Sequence, residues 1–596
     1  MDRNRNAPKP AMPSANRRIN FWYAALILIF ALIVARLFYL QIIRHDHYRA
    51  AAYADQQKEY SIAAERGIIE AYQAGQVVPV VLNQKLYTLF ADPTFIKNAD
   101  STAQKVAAVT HADIQQYKIL MQTKNTRYVV LAKRLTESQN QAITALKLPG
   151  VGTQSQDYRT YPQGQLASQV LGFVNNDGLG SYGVEQALNV QLAGKPGLLK
   201  AITDANGVPL VANRDNTKVN PVNGSSVVLT IDLGMQAQME KILADEYQKT
   251  KSKGLSAVVM DTSTGQIKAM ANYPTYDPSK YQDVSDQTLF QNAAIANAIE
   301  PGSTMKNLTT AAALDMGVIQ PNTTFYDPAH WVVDGFNITD IEEDGGAGTK
   351  SIGDILNLSL NTGATWMLMQ MGGGQINQQG RDRWHDYMVN HYQLGKATGI
   401  EQGYESAGIV PNPDSGYGLD LTYANTAFGQ GVTLTALQMA SAVSSIVNGG
   451  IYYQPHLVSQ VINSSGKVTT QRPVVVKSGV VKPQVSQEMQ SLMEYVVAQH
   501  LNPGGFSYLN FPSNFIVGGK TGTAQVANPA GGYYDNKFNG TYAGFVGGDK
   551  PQYVIIVYNI EPNVAGYAGS FGGQPVFADL AHMLINGSYV TPKSGT

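Results

Sequence analysis

A serine and a lysine three residues apart are the pair in this sequence whose types and spacing best suit nucleophilic catalysis. Ser303 follows the helix breaker Pro301-Gly302, and the residues after it favour a helix as far as Gly317. Lys306 then lies one turn later on the same face, within reach of the hydroxyl. A serine hydroxyl needs a neighbouring base to accept its proton, and a lysine can be that base if burial and positive potential lower its pKa. The two residues are therefore a candidate nucleophile and base.

The spacing alone does not distinguish this pair from an ordinary helix start. A serine commonly caps a helix, and a lysine in the first turn is commonly solvated. Ser464 and Lys467 have the same spacing, but they stand in the turn-forming segment INSSGK, where no helix would hold the amine over the hydroxyl. The assignment of Ser303 and Lys306 therefore depends on the other residues that share their domain.

Two later segments carry polar groups that could line the same cleft. Ser359 and Asn361 stand in a segment rich in turn formers, where the hydroxyl could relay a proton and the amide could bind a peptide group. A β-rich run contains Lys520-Thr521-Gly522-Thr523, and its glycines allow another backbone to approach closely. A peptide could add alongside that strand and place its carboxylate near the lysine and the threonine hydroxyls. Taken singly, these segments are equally consistent with a capped loop and a glycine-weakened edge strand.

The composition describes a globular protein with more than one domain. The 596 residues exceed the roughly 100–200 residues of a usual domain. A formal net charge of −1 leaves no overall basic field to attract nucleic acid, so no polynucleotide partner is expected. The sequence has no cysteine, which excludes disulfides, thiolate metal sites and cysteine nucleophiles. The nine histidines include no His-Glu-x-x-His motif, so we expect neither a metal nor another cofactor.

The N-terminal region contains a segment that is long and apolar enough to cross a membrane. Residues 1–20 are polar and basic, and we interpret them as a disordered tail. Residues 21–43 are apolar except for Arg36 and Gln41, which predicts a transmembrane helix. Five basic residues precede this segment and three follow soon after it, which favours a cytoplasmic N-terminus and an extracytoplasmic body. A cleaved signal peptide is the alternative, because the small residues Ala50-Ala51-Ala52 could serve a signal peptidase.

The remaining pattern predicts an α/β (α+β) protein. Residues 44–224 alternate short β-rich runs with polar helical stretches and contain no evident catalytic cluster. The composition changes near Asn223-Gly224. From there, strands, then helices, then strands and a closing helix predict a domain at residues 225–588 whose mostly antiparallel sheet is built from both ends of the segment. Residues 589–596 would form a C-terminal tail.

In this order, the three candidate segments resemble the Ser-x-x-Lys, Ser-x-Asn and Lys-Thr-Gly signatures of penicillin-binding proteins and serine β-lactamases. About residues 21–588 are similar to class B penicillin-binding proteins, through EPGSTMK, LTIDLGMQ, FGQGVTLTALQMASAVSSIVNGG and KTGTAQ, and earlier through RLFYLQI, ERGII and YPQGQLASQVLGFVNNDGLGSYGVEQALN. The resemblance implies a β-rich, elongated pedestal, similar to a penicillin-binding protein dimerisation domain, at residues 44–224. It also implies a transpeptidase domain at residues 225–588.

The resemblance further implies a peptidoglycan D,D-transpeptidase of the division or elongation type. Ser303 would attack a stem-peptide D-Ala-D-Ala terminus and expel D-alanine, and an amine of a neighbouring stem would resolve the acyl-enzyme. β-Lactams would acylate the same serine. By the same resemblance, Lys306 would accept the serine proton and Ser359 would assist proton transfer. The backbone N–H groups of Ser303 and Thr523 would form the oxyanion hole. The residues that would bind the substrate are Asn361, Lys520, Thr521, Gly522 and Thr523.

Two departures from the family pattern bear on partner contacts and subfamily. After Arg66-Gly67-Ile68-Ile69, where the family usually has an acidic residue and a basic-x-Gly turn, this chain continues as Glu70-Ala71-Tyr72-Gln73. In addition, Leu360 stands where a second serine is common. The implied partners are peptidoglycan stem peptides, β-lactams, the cytoplasmic membrane and a membrane-embedded glycan polymerase.

A D,D-carboxypeptidase or β-lactamase would use the same serine but let water resolve the acyl-enzyme. The third hypothesis for the function is an inactive scaffold that binds β-lactams.

Overall fold

The first described helix is apolar on all sides, and its side chains are exposed to the surroundings of the protein. In the computed structural model, which describes residues 15–202, 216–340, 346–501 and 505–595, α1 spans Ala15–Phe38 and continues as a π-turn over Tyr39–Ile43. The stretch Ile19–Ile43 is apolar enough to cross a membrane. At 1.5 Å per residue its 25 residues are about 37 Å long, more than the roughly 30 Å of a hydrocarbon core.

The helix begins earlier than the sequence pattern suggests. Residues 15–20, predicted to belong to a disordered tail, are helical, because arginines at the end of a helix are compatible with its propagation from the apolar run. Residues 1–14 of the predicted tail lie outside the described residues. Helix α2 follows at His45–Gln56.

The chain divides into two compact units. The first comprises residues 1–64 and 195–222. Beyond its helices it contains a three-stranded antiparallel sheet in the order β1-β8-β9, formed by β1 (Gln57–Ile62), β8 (Gly197–Ile202) and β9 (Thr217–Val219).

The second unit comprises residues 65–194 and 223–596 and contains two large sheets. The first sheet has the order β19-β18-β10-β2-β3-β4, with β5 also paired to β3. The long strand β3 holds it together, since its first part pairs with β2 and its later part with β4 and β5. Its strands are β2 (Ile69–Gln73), β3 (Gln76–Ala91), β4 (Val129–Leu135), β5 (Val151–Thr160), β10 (Ser226–Asp232), β18 (Val458–Ile462) and β19 (Val468–Thr470).

Short helices and one small hairpin complete the first part of this unit. They are α3 (Ala99–Thr110), α4 (Ile114–Met121), α5 (Glu137–Ala145), α6 (Ser168–Leu171), α7 (Gly183–Ala187), α8 (Asn189–Ala193), β6 (Phe173–Val174) and β7 (Gly180–Ser181). Helices α3, α4 and α5 share an apolar cluster with β3 and β4.

A buried ion cluster joins distant segments of this first part. The Glu185 side chain has no exposed surface, and its two carboxylate oxygens accept from Arg66 at 2.5 Å and from Arg159 at 2.8 Å. Arg159 also donates to the carbonyl of Gly67 at 2.7 Å. Burial lowers the pKa of Arg159, while the Glu185 carboxylate acts in the opposite direction. Removing one member of such a cluster would leave an uncompensated buried charge, so the three residues hold β2, β5 and α7 in place together.

The second large sheet has the order β12-β11-β23-β22-β21 and is antiparallel throughout. Alternate residues of its strands face opposite layers, as the two-residue period of a strand requires. Ala257 and Val259 belong to the cluster with α9 and α18, while Val258 and Met260 belong to the cluster with α16. The strands are β11 (Gly254–Asp261), β12 (Ile267–Tyr273), β21 (Ile516–Ala527), β22 (Tyr533–Gly547) and β23 (Pro551–Ile560), and the covering helices are α9 (Leu233–Thr250), α16 (Ala436–Val447) and α18 (Gln574–Asn586).

Helices and three small two-stranded sheets fill the segment between β12 and β21. Helix α11 (Met305–Asp315) is buried along almost its whole length, so it forms the centre of this layer. The other elements are α10 (Ala293–Ala296), α12 (Ile352–Asn357), α13 (Asn361–Met371), α14 (Gln378–Asp386), α15 (Leu419–Ala427), α17 (Pro483–Leu501), β13 (Thr324–Asp327) with β16 (Gly348–Ser351), β14 (His330–Val333) with β15 (Phe336–Thr339), and β17 (Ile451–Tyr453) with β20 (Val475–Ser478).

The predicted α/β (α+β) fold is confirmed, including an antiparallel sheet built from both ends of the later segment. The strands predicted at the start of that segment include β11 and β12, and those predicted near its end are β21 to β23. The predicted C-terminal tail is ordered as far as it is described. Lys593 donates its backbone N–H to Asn514 at 2.9 Å, and Ser594 donates to Asp549 at 3.0 Å.

Candidate active site

Ser303 lies in a single 3-10 turn, Gly302–Thr304, that leads into α11 (Met305–Asp315). The turn needs glycine at its first position, because Gly302 has a φ of +58°. A β-carbon there would also lie 2.8 Å from the carbonyl oxygen of Thr523. The Gly302 N–H donates to the carbonyl of Gly429 at 3.0 Å. The nucleophile candidate is therefore held at the start of a buried helix, in close contact with the edge strand of the sheet.

The Lys306 amine is buried, with 1% of the residue exposed, and it lies among oxygen atoms. Its Nζ donates to Ser303 Oγ at 3.0 Å, to Ser359 Oγ at 3.2 Å and to Asn361 Oδ1 at 2.9 Å. It also donates to the backbone carbonyl of Ser359. The (i, i+3) spacing predicted that the amine would reach the hydroxyl, and the structure places the two atoms within hydrogen-bonding distance.

Ser359 and Asn361 stand at the tight turn between α12 and α13. Ser359 has a φ of +59°, an uncommon conformation for a residue with a side chain. Asn361 is the first residue of α13, and its Nδ2 donates to the carbonyl of Thr339 at 3.0 Å, which leaves Oδ1 facing Lys306. Asp340 caps the same helix by accepting from the Thr362 N–H at 3.0 Å.

The Asp340 carboxyl is a further titratable group near this turn. Burial raises its pKa, while its hydrogen bonds with Thr362 and the positive charge of Lys306 act to lower it. The Asp340 carboxyl, behind the turn between α12 and α13, is therefore negative or neutral according to the pH.

The strand β21 presents the Lys-Thr-Gly segment to the Ser303 turn. Gly522 is the point of closest approach, since a β-carbon there would lie 2.6 Å from the Pro301 carbonyl and 2.2 Å from Thr541 Oγ1. Thr541 itself donates to that Pro301 carbonyl at 2.7 Å. Lys520 is 1% exposed, and its Nζ donates to the carbonyl of Thr521 at 3.1 Å and to its hydroxyl at 3.3 Å.

These elements enclose a cavity of about 410 Å³. The predicted residues that line it are Ser303, Ser359, Asn361, Thr521 and Thr523. Lys306 and Lys520 lie behind its wall, and Gly522 forms the contact between strand and turn. The remaining lining residues have no role predicted from the sequence. They are Asn357, Leu358, Phe428, Gln430, His500, Gln525, Phe538, Tyr567 and Ser570.

Some of these unassigned residues had a signal in the sequence. Phe428 and Gln430 belong to FGQG and Gln525 to KTGTAQ, the segments that carry the family resemblance. His500 and Tyr567 had none, because they reach the cavity only through the packing of α17 and of the segment before α18. Ser464, which shares the serine-to-lysine spacing, is exposed in the turn between β18 and β19, as the sequence predicts.

Comparison with known proteins places most of the chain in two domain families. Residues 255–582 match the penicillin binding protein transpeptidase domain, and residues 61–229 match the penicillin-binding protein dimerisation domain. Penicillin-binding protein PbpB of Mycolicibacterium smegmatis is 32% identical over 81% of this chain and 73% of its own. Peptidoglycan D,D-transpeptidase FtsI of Escherichia coli is 25% identical over 99% of this chain and 95% of its own.

Solved structures show the same architecture. The crystal structure of penicillin binding protein 3 from Mycobacterium tuberculosis, complexed with aztreonam, is 25% identical to this chain. The superposition covers 89% of this chain and 98% of the other with a TM-score of 0.67.

Replacing Gly522 with alanine should separate β21 from the Ser303 turn, because the added carbon has no room beside Thr541 Oγ1 and the Pro301 carbonyl. We expect the rate of acylation by a fluorescent penicillin to fall by about 10²-fold, the cost of a small misplacement of reacting groups. Gly254→Ala is the matched control on β11 of the same sheet, where the nearest atom would lie 3.6 Å away. Equal acylation rates in the two variants would contradict this account of the contact.

Proposed function

We propose how the residues of this chain carry out its reaction, starting from the fact that the chain belongs to the class B penicillin-binding proteins. It is a serine-type peptidoglycan D,D-transpeptidase that binds peptidoglycan and β-lactams. One apolar N-terminal helix anchors it to a membrane. The assignment of individual roles, the domain limits and the orientation in the membrane are our proposals.

Acylation is proposed to begin at Ser303, and the contact that supports this most directly is the 3.0 Å between Lys306 Nζ and Ser303 Oγ. When the amine is neutral, the serine O–H donates to Nζ across that distance, and Oγ attacks the carbonyl carbon of the penultimate D-alanine. The C–N bond to the terminal D-alanine then breaks. The proton passes from Lys306 to the leaving amine, assisted by Ser359 Oγ, which lies 3.2 Å from Nζ. An acceptor amine resolves the acyl-enzyme by the reverse proton path.

Asn361 and the strand β21 are proposed to hold the donor peptide. Thr521 and Thr523 line the cavity, and the Thr523 hydroxyl already accepts from the Gly569 N–H at 3.0 Å, so its own proton is available to a substrate carboxylate. Lys520 would contribute positive charge from behind the strand. Gly522 would keep the strand close to Ser303, and the Asn361 side chain would bind the substrate amide.

The backbone N–H groups of Ser303 and Thr523 are proposed to form the oxyanion hole. The close packing of Gly302 against the Thr523 backbone supports this pairing, because it brings the two amides to the same end of the cavity. Loss of one such donor typically lowers an acyl-transfer rate by about 10²–10³-fold.

Substitution of the nucleophile tests the central role. Ser303→Ala should take no covalent label from a fluorescent penicillin, because Ser303 Oγ is the proposed nucleophile, while Ser359 Oγ, the other hydroxyl bonded to the Lys306 amine, is assigned to proton transfer. Ser464→Ala should label like the wild type, since this serine has the same spacing to a lysine but lies in an exposed turn. Incubation with stem peptides should give dimers with the wild type and none with Ser303→Ala. Equal labelling of both serine variants, or trimmed monomers without dimers from the wild type, would contradict the proposal.

The N-terminus is proposed to be cytoplasmic and the body of the chain extracytoplasmic. The excess of basic residues before residue 21 supports this orientation. Because the chain has no cysteine, a single introduced thiol reports its own location. A membrane-impermeant maleimide should label Ser465→Cys in spheroplasts and label Ser14→Cys only after lysis. The opposite pattern would reverse the proposed orientation.

We also propose a pedestal at residues 44–224, a transpeptidase domain at residues 225–588 and a membrane-embedded glycan polymerase as partner. The matches to the two domain families, ending at residue 229 and beginning at residue 255, support these limits. Contact with the polymerase would involve residues 21–43 and the pedestal. Replacing residues 21–43 with an unrelated apolar span should reduce co-purification of the polymerase, while Ser303→Ala should not. Undiminished co-purification would exclude the span as a contact.

A further inference from the structure

His500 lines the active-site cavity but belongs to none of the three sequence motifs. It stands one residue before the end of α17 (Pro483–Leu501), a helix that packs against both β21 and α12. The residue is half-buried. Its place at this junction raises the question of what the ring holds together.

Two hydrogen bonds fix the ring. Gln574 Nε2, at the start of α18, donates to His500 Nδ1 at 3.0 Å. The orientation of that amide is set by Tyr508, whose hydroxyl donates to Gln574 Oε1 at 3.2 Å. The backbone of Asn357 also bonds to the ring and acts to raise its pKa, as a carbonyl acceptor does. Because Nδ1 already accepts from Gln574, the proton that Asn357 receives is on Nε2.

The surroundings keep the ring neutral. Burial and the positive charge of Lys520 lower the His500 pKa to about 4, while the Asn357 bond opposes them. Three elements place a group against the ring. Strand β21 contributes the charge of Lys520, the turn after α12 contributes the Asn357 backbone, and α18 contributes the neutral Gln574 amide. Tyr508 is the further titratable group next to Gln574, and burial raises its phenol pKa. A neutral imidazole can donate at one nitrogen and accept at the other, as both bonds require.

We propose that His500 is a positioning residue that ties the turn carrying Ser359 to α18 and to the strand carrying Lys520. Asn357 stands two residues before Ser359, whose backbone carbonyl and hydroxyl both accept from Lys306. Movement of this turn would change the proton path between Ser303 and the leaving amine. The inference rests on the proposed roles of Ser359 and Lys306 and adds a residue that acts through them.

Four full-length variants in detergent test the proposal through the rate of acylation by a fluorescent penicillin. His500→Leu removes both hydrogen bonds and should lower the rate by about 10²-fold. His500→Gln keeps a donor and an acceptor and should restore the rate to within about fivefold of the wild type. Gln574→Glu replaces the donor to Nδ1 with a carboxylate, which favours the charged imidazolium and raises its pKa. The charged ring then donates to both the new carboxylate and the Asn357 carbonyl, and its deprotonation at higher pH removes one of those bonds. The acylation rate of Gln574→Glu should therefore fall as the pH rises through the raised pKa, and His500→Gln/Gln574→Glu should lack that fall.

The outcomes separate this inference from the proposed function. A rate for His500→Leu within threefold of the wild type, or equal losses in the leucine and glutamine variants, would overturn the positioning role. A pH profile of Gln574→Glu that matches the wild type would do the same, and this variant also decides the matter if His500→Leu does not fold. Failure of the wild type to be acylated, or labelling of Ser303→Ala, would instead refute the proposed function.

Discussion

The Lys306 amine is almost completely buried, and oxygens from its own helix turn and from the turn between α12 and α13 surround it. A buried ammonium is costly unless its protons are hydrogen-bonded, and here the acceptors are the Ser303 hydroxyl, two oxygens of Ser359 and the Asn361 amide. These groups come together only if α11 is buried and α12 turns sharply into α13. The packing of the helical layer is therefore also the arrangement of the proposed proton path.

The cavity depends as much on missing side chains as on those present. Gly302 and Gly522 face each other's neighbours so closely that a β-carbon at either would overlap backbone atoms. This contact lets the edge strand β21 supply the donors of the proposed substrate site directly beside the nucleophile. A strand edge leaves its backbone groups open to an added peptide. The same feature thus accounts for the position of Ser303 and for how a peptide substrate could bind.

Much of this arrangement could be predicted from local sequence. The breaker before Ser303, the helical run after it and the β-rich runs that form β11 and β12 each reflect short-range physical preferences. The strand order β12-β11-β23-β22-β21 could not be derived this way, because it pairs β11 with β23, where Ala257 lies opposite Val557. The Glu185 ion cluster and the position of His500 depend on the same long-range packing. The prediction that residues 15–20 are disordered was wrong. These residues are polar and basic, so the sequence pattern did not indicate that the apolar helix extends through them.

The proposed mechanism depends on the Lys306 amine as the group that exchanges a proton with Ser303. The most direct measurement is the rate of β-lactam acylation of Lys306→Met, together with its unfolding midpoint, in the full-length protein. Methionine removes the amine and keeps an unbranched side chain in the buried position. We predict a loss of about 10²–10⁴-fold, the usual contribution of a positioned base, with folding retained. A folded Lys306→Met variant that acylates within tenfold of the wild type at the same pH would contradict the account.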